Sequence, residues 1–324
     1  MWSYLKSNAY NQVGRTLPGV TAPGGGVRTK IDNIEQAGIP IISMIPLCET
    51  FGLLIEPTSL NHHPEYDSTR KGFDLNIEDL EELRAFKACW AEEQQLLRWE
   101  GHKRDKFLSK VDAVFVCNNY LKDILRVYVR QPISILRTPI DSFRFRPRSK
   151  KKQIVAMGRV SIEKNIECII EFYRTLPDGW DKIYIGNVDL WGTEPKPIDK
   201  LLEGRLKNVC DWMPSLTQDS VAEIAGESWG YINLARYDVG CLSFLEFGMA
   251  GAHCFCSNFH LMFDEYDFVN RVYSPAHAVE QIINIESEQG LNTNEAMRQQ
   301  MIQMHSYEAF REQLALRSME VTNA

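Results

Sequence analysis

The feature that most constrains the fold is a regular alternation of short apolar runs and amphipathic stretches in the C-terminal half of the chain. The apolar runs lie at 154–157, 183–185, 209–212, 231–234, 253–256 and 271–273. Between the first two runs, apolar residues recur with the spacing of one helical face: Ile166, Ile169, Ile170 and Tyr173. Apolar strands that alternate with helices are typical of a parallel sheet covered on both faces. Such a sheet binds its ligand at the carboxyl ends of its strands.

The N-terminal half shows a weaker form of the same pattern. Apolar runs at 39–45 and 113–117 predict buried strands, and a helical stripe from Leu121 to Tyr128 follows the second run. A chain of 324 residues is long enough for two domains. We therefore predict two Rossmann-like, doubly wound parallel-sheet domains of the α/β class, at residues 1–148 and 149–324. The terminal helix is free to pack back on the first domain.

The predicted boundary coincides with a run of basic residues around Pro147. The run contains Arg144, Arg146, Arg148, Lys150, Lys151 and Lys152. A dense basic run beside a proline is typical of a solvated linker, and a surface that faces a polyanion is the alternative. The sequence alone leaves both interpretations open.

Composition and charge argue against several classes of protein. The 36 basic and 43 acidic residues give a net charge of −7, which disfavours a dedicated nucleic-acid binder. No apolar run is long enough to span a membrane, and the N-terminus is too polar for a signal peptide. The 8 cysteines form no CxxC pair, and Cys254 and Cys256 would face opposite sides of a strand. We therefore expect free thiols, no metal site and a cytoplasmic protein.

One segment of the C-terminal half has the composition of a diphosphate site. Gly158 follows a predicted strand and precedes a predicted helix, where a glycine allows the backbone to turn tightly. The start of a helix offers unpaired amides, and Arg159 and Lys164 would add two cations at the same edge. A plain strand-to-helix turn with two surface cations is the alternative.

A second segment, residues 237–251, carries two carboxylates. Asp238 precedes a glycine turn at Gly240, whereas Glu246 lies within the apolar helix that is predicted to follow. A carboxylate in apolar surroundings needs a partner, because burying an unpaired charge is costly. Ribose hydroxyls are suitable partners, as in dinucleotide sites. The alternative places Glu246 on the solvent side of an amphipathic helix.

Taken in order, these segments resemble the nucleotide-sugar half of GT-B glycosyltransferases, particularly those of the retaining family-4 type. That family has Gly-Arg-x4-Lys-Asn after its first C-terminal strand, here residues 158–165, and Glu-x7-Glu around a glycine turn, here residues 238–246. Segment 136–147 also looks like the family's interdomain linker. The resemblance covers residues 112–260. It implies the GT-B fold, in which two Rossmann-like domains face a cleft.

The resemblance also implies a metal-independent transferase that takes a nucleotide sugar as substrate, needs no cofactor and retains the anomeric configuration. Arg159 and Lys164 would bind the donor diphosphate, Glu246 would bind the ribose, and Asp238 would face the sugar at the reaction centre. Further donor contacts would come from four residues: Gly240, Cys241, Leu242 and, near the base, Met213. Asp238 stands where the family has glutamate and is one methylene shorter, which leaves the donor sugar open.

The roles that the resemblance implies for the N-terminal half rest on looser matches. Residues 24–26 resemble the family's glycine-rich first loop, in which Gly26 would approach the donor phosphates. Glu92 occupies a plausible place for a catalytic residue. Three histidines are weaker candidates, because each fits a solvated surface position better: His62, His63 and His102.

The acceptor is the least determined part of the prediction. A saccharide or small molecule is favoured, and the hydroxylated bases of viral DNA are the alternative. Two other classes of protein stay open, a non-catalytic sugar-nucleotide-binding protein and a dinucleotide-dependent oxidoreductase. The second is weakened because no GxGxxG motif follows a strand with an acidic residue some twenty positions later.

Overall fold

The chain divides into two units that each have their own sheet. The computed structural model describes residues 2–5, 33–38, 41–42, 52–55, 86–91, 101–188, 196–214, 216–236, 238 and 241–322. The first unit consists of Met1–Pro139 together with the chain end Tyr307–Ala324, and the second of Ile140–Ser306. Each sheet is parallel and has six strands.

Strands and helices alternate along most of the described chain. The strands are β1 (Trp2–Leu5), β2 (Ile41–Ile42), β3 (Gly52–Ile55), β4 (Phe86–Ala91), β5 (Ala113–Val116), β6 (Ile133–Ile135), β7 (Lys151–Met157), β8 (Asp181–Ile185), β9 (Asp211–Met213), β10 (Ser228–Asn233), β11 (His253–Ser257) and β12 (Asn270–Val272). The helices are α1 (Gly101–Leu108), α2 (Asn119–Leu125), α3 (Ile166–Thr175), α4 (Pro197–Lys207), α5 (Gln218–Glu227), α6 (Leu242–Met249), α7 (Pro275–Gln289), α8 (Glu295–His305) and α9 (Tyr307–Thr322).

The sheet of the first unit has the strand order β2-β1-β3-β4-β5-β6. The strand predicted at 113–117 is confirmed as β5, whose residues are all buried. Helix α2 begins directly after it, because Asn118 Oδ1 accepts the backbone N–H of Leu121 at 2.8 Å. Of the predicted stripe, Leu121 and Leu125 are buried. The prediction is wrong at Tyr128, which lies beyond the end of the helix and is exposed. Of the strand predicted at 39–45, the described part is β2.

The last helix, α9, completes the core of the first unit. The Phe310 ring stacks on Trp90 with 5.7 Å between the ring centroids, and Leu314 joins the same cluster. Trp90 Nε1 donates a hydrogen bond to the Leu136 carbonyl at 3.1 Å, so the indole has a polar partner inside this core. The C-terminal helix therefore belongs to the first unit, although the residues directly before it, 140–306, form the second unit.

The sheet of the second unit has the strand order β12-β11-β10-β7-β8-β9. Its central strand β10 is buried along its whole length. The predicted apolar stripe is confirmed as the buried face of α3, formed by Ile166, Ile169, Ile170 and Tyr173. The Tyr173 hydroxyl donates to the Ile183 carbonyl at 2.5 Å and accepts the Ala156 N–H at 3.0 Å, which ties α3 to β7 and β8.

The basic run at 144–152 packs into the second unit and is not a free linker, which corrects the linker interpretation. The boundary predicted at residues 148 and 149 lies inside this unit, because the chain already enters it at Ile140. Acidic or carbonyl partners bind most of the cations: Arg144 with Asp219 at 3.4 Å, Arg148 with Glu223 at 2.6 Å, Lys150 with the Ala250 carbonyl at 2.8 Å, Lys151 with Glu227, and Lys152 with Glu286 at 2.7 Å. Four of these pairs join the run to carboxylates of α5 and α7, and Lys150 binds the carbonyl at the end of α6.

Candidate functional site

The carboxyl ends of β7 and β8 approach each other at two glycines. Gly158 N donates to the Ile185 carbonyl at 2.9 Å, and the Tyr184 hydroxyl donates to the Gly158 carbonyl at 2.9 Å. Gly186 has a φ of +147°, and a Cβ built on it would lie 1.8 Å from the Gly158 carbonyl oxygen. A side chain at position 186 would therefore push the Gly158 turn out of place.

After this turn the chain forms a 3-10 helix, Ile162–Lys164, before α3 begins. Asn165 separates the two helices in the left-handed conformation, with a φ of 54°. Its side-chain Nδ2 donates to the Leu234 carbonyl at 3.0 Å and so fixes the turn against the segment that follows β10. The short helix thereby places Lys164 at the carboxyl edge of the sheet, beside Asp238.

Lys164 and Asp238 form an ion pair with 2.6 Å between Nζ and Oδ2. Burial disfavours both charges, but for each group the opposite charge of its partner outweighs the effect of burial. Burial alone would raise the pKa of Asp238, yet Lys164 and a hydrogen bond from Asn233 hold that pKa below its ordinary value. The pKa of Lys164 lies above its ordinary value for the matching reason. Both groups therefore stay charged at neutral pH.

Arg159 lies on the same turn and is partly exposed. Its guanidinium pairs with Glu163 at 3.5 Å, four residues further along the chain. A surface pair of this kind contributes about 0.3–0.5 kcal/mol to stability, so the guanidinium can leave Glu163 at little cost when a stronger anion binds. The two cations predicted to bind a diphosphate thus lie on the turn and on the short helix that follows it, Arg159 in a weak surface pair and Lys164 in a close pair with Asp238.

Glu246 is buried in α6, with 2% of its surface exposed. The alternative that placed this residue on the solvent side of its helix is therefore wrong. Gln218 Nε2 donates to Glu246 Oε1 at 2.5 Å. Burial raises the pKa of Glu246 to about 7, although Gln218 and the charge of Arg144 partly offset this effect. Glu246 is therefore a buried carboxyl group that is partly protonated at neutral pH.

Cys241 and Leu242 stand at the start of α6, Cys241 as the residue before the first turn. The Cys241 thiol lies 3.1 Å from Asn233 Nδ2 and 3.3 Å from Ser243 Oγ. Burial raises its pKa to about 11, so it is a neutral thiol. Met213 ends β9, and its carbonyl accepts the Gly186 N–H at 2.8 Å, which puts Met213 at the same edge of the sheet.

Three predicted site residues lie outside the residues that the structure describes, namely Gly26, Glu92 and Gly240. The same holds for His62 and His63, whereas His102 lies in α1 of the first unit. For these positions the roles that the resemblance implies stay predictions. The described part of the site therefore belongs entirely to the second unit.

The sequence did not single out two buried polar residues at this edge, Asn233 and His260. Asn233 ends β10 and donates to Asp238 Oδ2 at 3.2 Å. His260 Nε2 bonds to the Ala235 carbonyl, and Arg271 donates to the His260 carbonyl at 2.6 Å. Asn233 had a visible signal, because it is the polar residue at the carboxyl end of a predicted strand. The bonds of His260 join loops that are distant in sequence and leave no such signal.

Other sequence predictions concern thiols, metals and membranes. The described cysteines are all free. Within the described ranges, no group of three or more histidine, cysteine or acidic side chains is arranged to hold a metal ion. In the same part of the chain, no helix combines the length and the apolar character needed to cross a bilayer.

The described geometry suits an anionic ligand that also carries hydroxyl groups. Arg159 and Lys164 provide cations on a tight turn, while Asp238 and Glu246 provide acceptors on the neighbouring loop and helix. Charge-assisted hydrogen bonds of this kind are about twice as strong as neutral ones. A nucleoside diphosphate linked to a sugar has both kinds of group.

The chain resembles several solved structures in overall fold. Anabaena HepE, solved with UDP and glucose, has a TM-score of 0.66 at 9% identity, with 98% of this chain and 99% of HepE covered. Sucrose-phosphate synthase from Thermosynechococcus elongatus has a TM-score of 0.64 at 12% identity, with 99% of each chain covered. TarM has a TM-score of 0.58 at 12% identity, with 82% of this chain but only 54% of TarM covered.

These structures share one architecture, and it decides the fold. The chain has the GT-B fold. The prediction of two Rossmann-like parallel-sheet units is thereby confirmed, while membership of the family-4 type stays a prediction. No protein-family model matches the sequence, and no curated protein sequence does either.

Proposed function

We propose that this GT-B chain is a glycosyltransferase that binds a nucleotide sugar at the carboxyl edge of its second sheet. The observation that carries the proposal is the Lys164–Asp238 pair, a cation and a carboxylate 2.6 Å apart beside the Gly158 turn. The Lys164 ammonium suits the diphosphate of such a donor, and the Asp238 carboxylate suits the hydroxyls of its sugar. The fold supports the proposal, because HepE, with the same architecture, was solved with UDP and glucose.

In this proposal Arg159 and Lys164 bind the diphosphate and stabilise the negative charge that develops on it as the sugar leaves. Glu246 accepts hydrogen bonds from the ribose, and Asp238 accepts them from the sugar. The backbone at Cys241 and Leu242, at the start of α6, offers amides to the phosphates. Two cations at the leaving group take the role that a divalent metal has in other transferases, so we propose a metal-independent enzyme without a cofactor.

Two finer features belong to the same proposal. Retention of the anomeric configuration rests on the motifs at 158–165 and 238–246, and the anomeric proton coupling of the product would test it. Activity in the cytoplasm rests on the free thiols of the described cysteines, which a reducing compartment preserves.

For the acceptor we propose a saccharide or a small molecule. The chief basic run of the second unit supports this choice over DNA, because its cations are largely paired with carboxylates or carbonyls. A DNA backbone needs basic side chains that are available to its phosphates. The alternative acceptor therefore has little support in the described second unit.

The direct test of this proposal is release of UDP from UDP-glucose, followed by a panel of other nucleotide sugars. Wild-type protein should release UDP slowly without acceptor and faster with a suitable saccharide. Asp238→Asn should abolish most of this turnover but leave UDP binding intact, because its carboxylate faces the sugar. Binding of UDP without turnover of any sugar nucleotide would favour a non-catalytic binding protein. Binding of NAD or NADP in preference to UDP would favour an oxidoreductase.

A further inference from the structure

The side chain of Asn233 bonds to three described residues between β10 and α6, namely Ala235, Asp238 and Cys241. Its Oδ1 accepts the Ala235 N–H at 2.9 Å, at the start of the segment. Its Nδ2 donates to Asp238 Oδ2 at 3.2 Å and lies 3.1 Å from the Cys241 thiol. Asn233 is 6% exposed, so little water competes for these bonds. One carboxamide therefore bonds to residues at both ends of this connection and to Asp238 between them.

Three further hydrogen bonds hold the backbone of residues 234–236. Asn165 Nδ2 donates to the Leu234 carbonyl at 3.0 Å, and His260 Nε2 bonds to the Ala235 carbonyl. The Arg236 N–H donates to the Glu163 carbonyl at 2.8 Å. These bonds fix the path of the chain. The orientation of the Asp238 carboxylate is set by Asn233 and Lys164, which both bind its Oδ2.

The other oxygen, Asp238 Oδ1, has no hydrogen-bond donor among the residues that the structure describes. A carboxylate with one oxygen held by two donors has little freedom to rotate. Its second oxygen then points in a fixed direction and can accept a hydroxyl without rearrangement. This is the preorganisation that makes an acceptor effective in a binding site.

We propose that Asn233 is a positioning residue of the donor site, which orients Asp238 towards the donor sugar and couples it to the start of α6. This inference rests on the proposed function for the ligand, a nucleotide sugar, but its geometric part does not. Asn233 acts through Asp238 and Cys241 and is not itself placed against the ligand.

Asn233→Asp isolates this role with almost no change of shape. The aspartate keeps an oxygen for the Ala235 N–H but loses the donor to Asp238 and Cys241. It also sets a second carboxylate beside Asp238, and two like charges at this distance raise the pKa of the pair. The kcat for UDP-glucose turnover at pH 7 should then fall about tenfold, because the Asp238 carboxylate is no longer held in its orientation. UDP affinity should change far less.

Asn270→Asp is the matched control. Asn270 lies in β12 of the same sheet, is half-buried and donates to the Cys254 carbonyl at 3.2 Å. The substitution makes the same chemical change away from Asp238, so kcat and UDP affinity should both stay at the wild-type level. A wild-type kcat in Asn233→Asp, or an equal loss of kcat and UDP affinity, would overturn the proposal.

The alkylation rate of Cys241 tests the geometry without any activity. In Asn233→Ala the segment loses all three bonds, so iodoacetamide should modify Cys241 about tenfold faster, as expected for local opening. Cys254, buried in β11, should react no faster and reports any general unfolding. An unchanged Cys241 rate, or equal acceleration at both thiols, would contradict a local positioning role. Failure of the wild type to bind UDP or release it from UDP-glucose would instead count against the proposed function, and the alkylation result would stand by itself.

Discussion

At the scale of single residues, Glu246 shows how a binding group can lower stability. Burial raises its pKa to about 7 from an ordinary value of 4.5. The folded chain therefore binds a proton between pH 4.5 and 7 that the unfolded chain has released, and stability falls as the pH rises through this window. Above pH 7 this pKa shift lowers the free energy of unfolding by about 3 kcal/mol.

We expect Glu246→Gln to remove this dependence, because glutamine has a similar shape, carries no charge and can still bond to Gln218. Relative to wild type, the free energy of unfolding of the variant should rise by about 3 kcal/mol between pH 4.5 and pH 8. The same variant should bind UDP more weakly, since the ribose loses its carboxylate partner. Urea denaturation at the two pH values and a UDP titration measure both effects. A constant stability difference across this range would show that the pKa of Glu246 in the folded state is close to its ordinary value.

Residue-scale inference from sequence worked where a side chain acts within its own motif. Gly158, Arg159 and Lys164 lie within the short connection between β7 and α3, as their spacing predicted. The burial of Glu246 could not be decided in the same way, because a helix with apolar neighbours on several sides has no clear solvent face. Its partner Gln218 comes from α5, and no local pattern places that helix beside Glu246.

At the scale of elements, the close approach of β7 and β8 sets the shape of the site. Gly186→Ala would place a methyl group on the Gly158 carbonyl, at the 1.8 Å separation given by the backbone. We expect this variant to lose several kcal/mol of stability, about the cost of severe overpacking, and to lose UDP binding with it.

Gly179→Ala controls for backbone strain, because Gly179 also has a positive φ, +87°, but a Cβ added there would meet nothing within 4 Å. This variant should lose only about 1 kcal/mol and keep its UDP affinity. Thermal unfolding and UDP titration of both variants separate the effect of backbone strain from that of the steric clash with Gly158. Equal losses in the two would mean that the Gly158 turn yields easily and does not shape the site.

Element assignment from sequence succeeded for the second unit because its strands and helices repeat with clear periods. The assignment was weaker at the predicted linker, because the basic composition of this run is typical of a solvent-exposed segment. The basic residues at 144–152 find their partners in α5, α6 and α7, far along the chain, and such pairs are invisible to a local pattern. The same limit hid His260, whose bonds join two loops.

At the scale of the whole molecule, the net charge of −7 and the paired basic run make a polyanionic acceptor unfavourable. Turnover should therefore change less than about twofold between 50 and 200 mM salt, whereas a protein that contacts several phosphates loses orders of magnitude in affinity over this range. Turnover should also persist in EDTA if, as proposed, Arg159 and Lys164 stabilise the leaving group. A steep salt dependence together with DNA association would revive the DNA alternative, and activity restored only by manganese would contradict the metal-independent proposal.

The central claim is that the Gly158 turn binds a nucleoside diphosphate through Arg159 and Lys164, and calorimetric titration with UDP tests it most directly. Arg159→Ala and Lys164→Ala should each weaken UDP binding by about 1.5–3 kcal/mol, the scale of a charge-assisted hydrogen bond, with the fold unchanged. Arg148→Ala, which breaks only the surface pair with Glu223, should bind UDP like the wild type. Equal affinity for UDP in all of these proteins, or no binding of UDP, GDP or ADP by the wild type, would contradict the account.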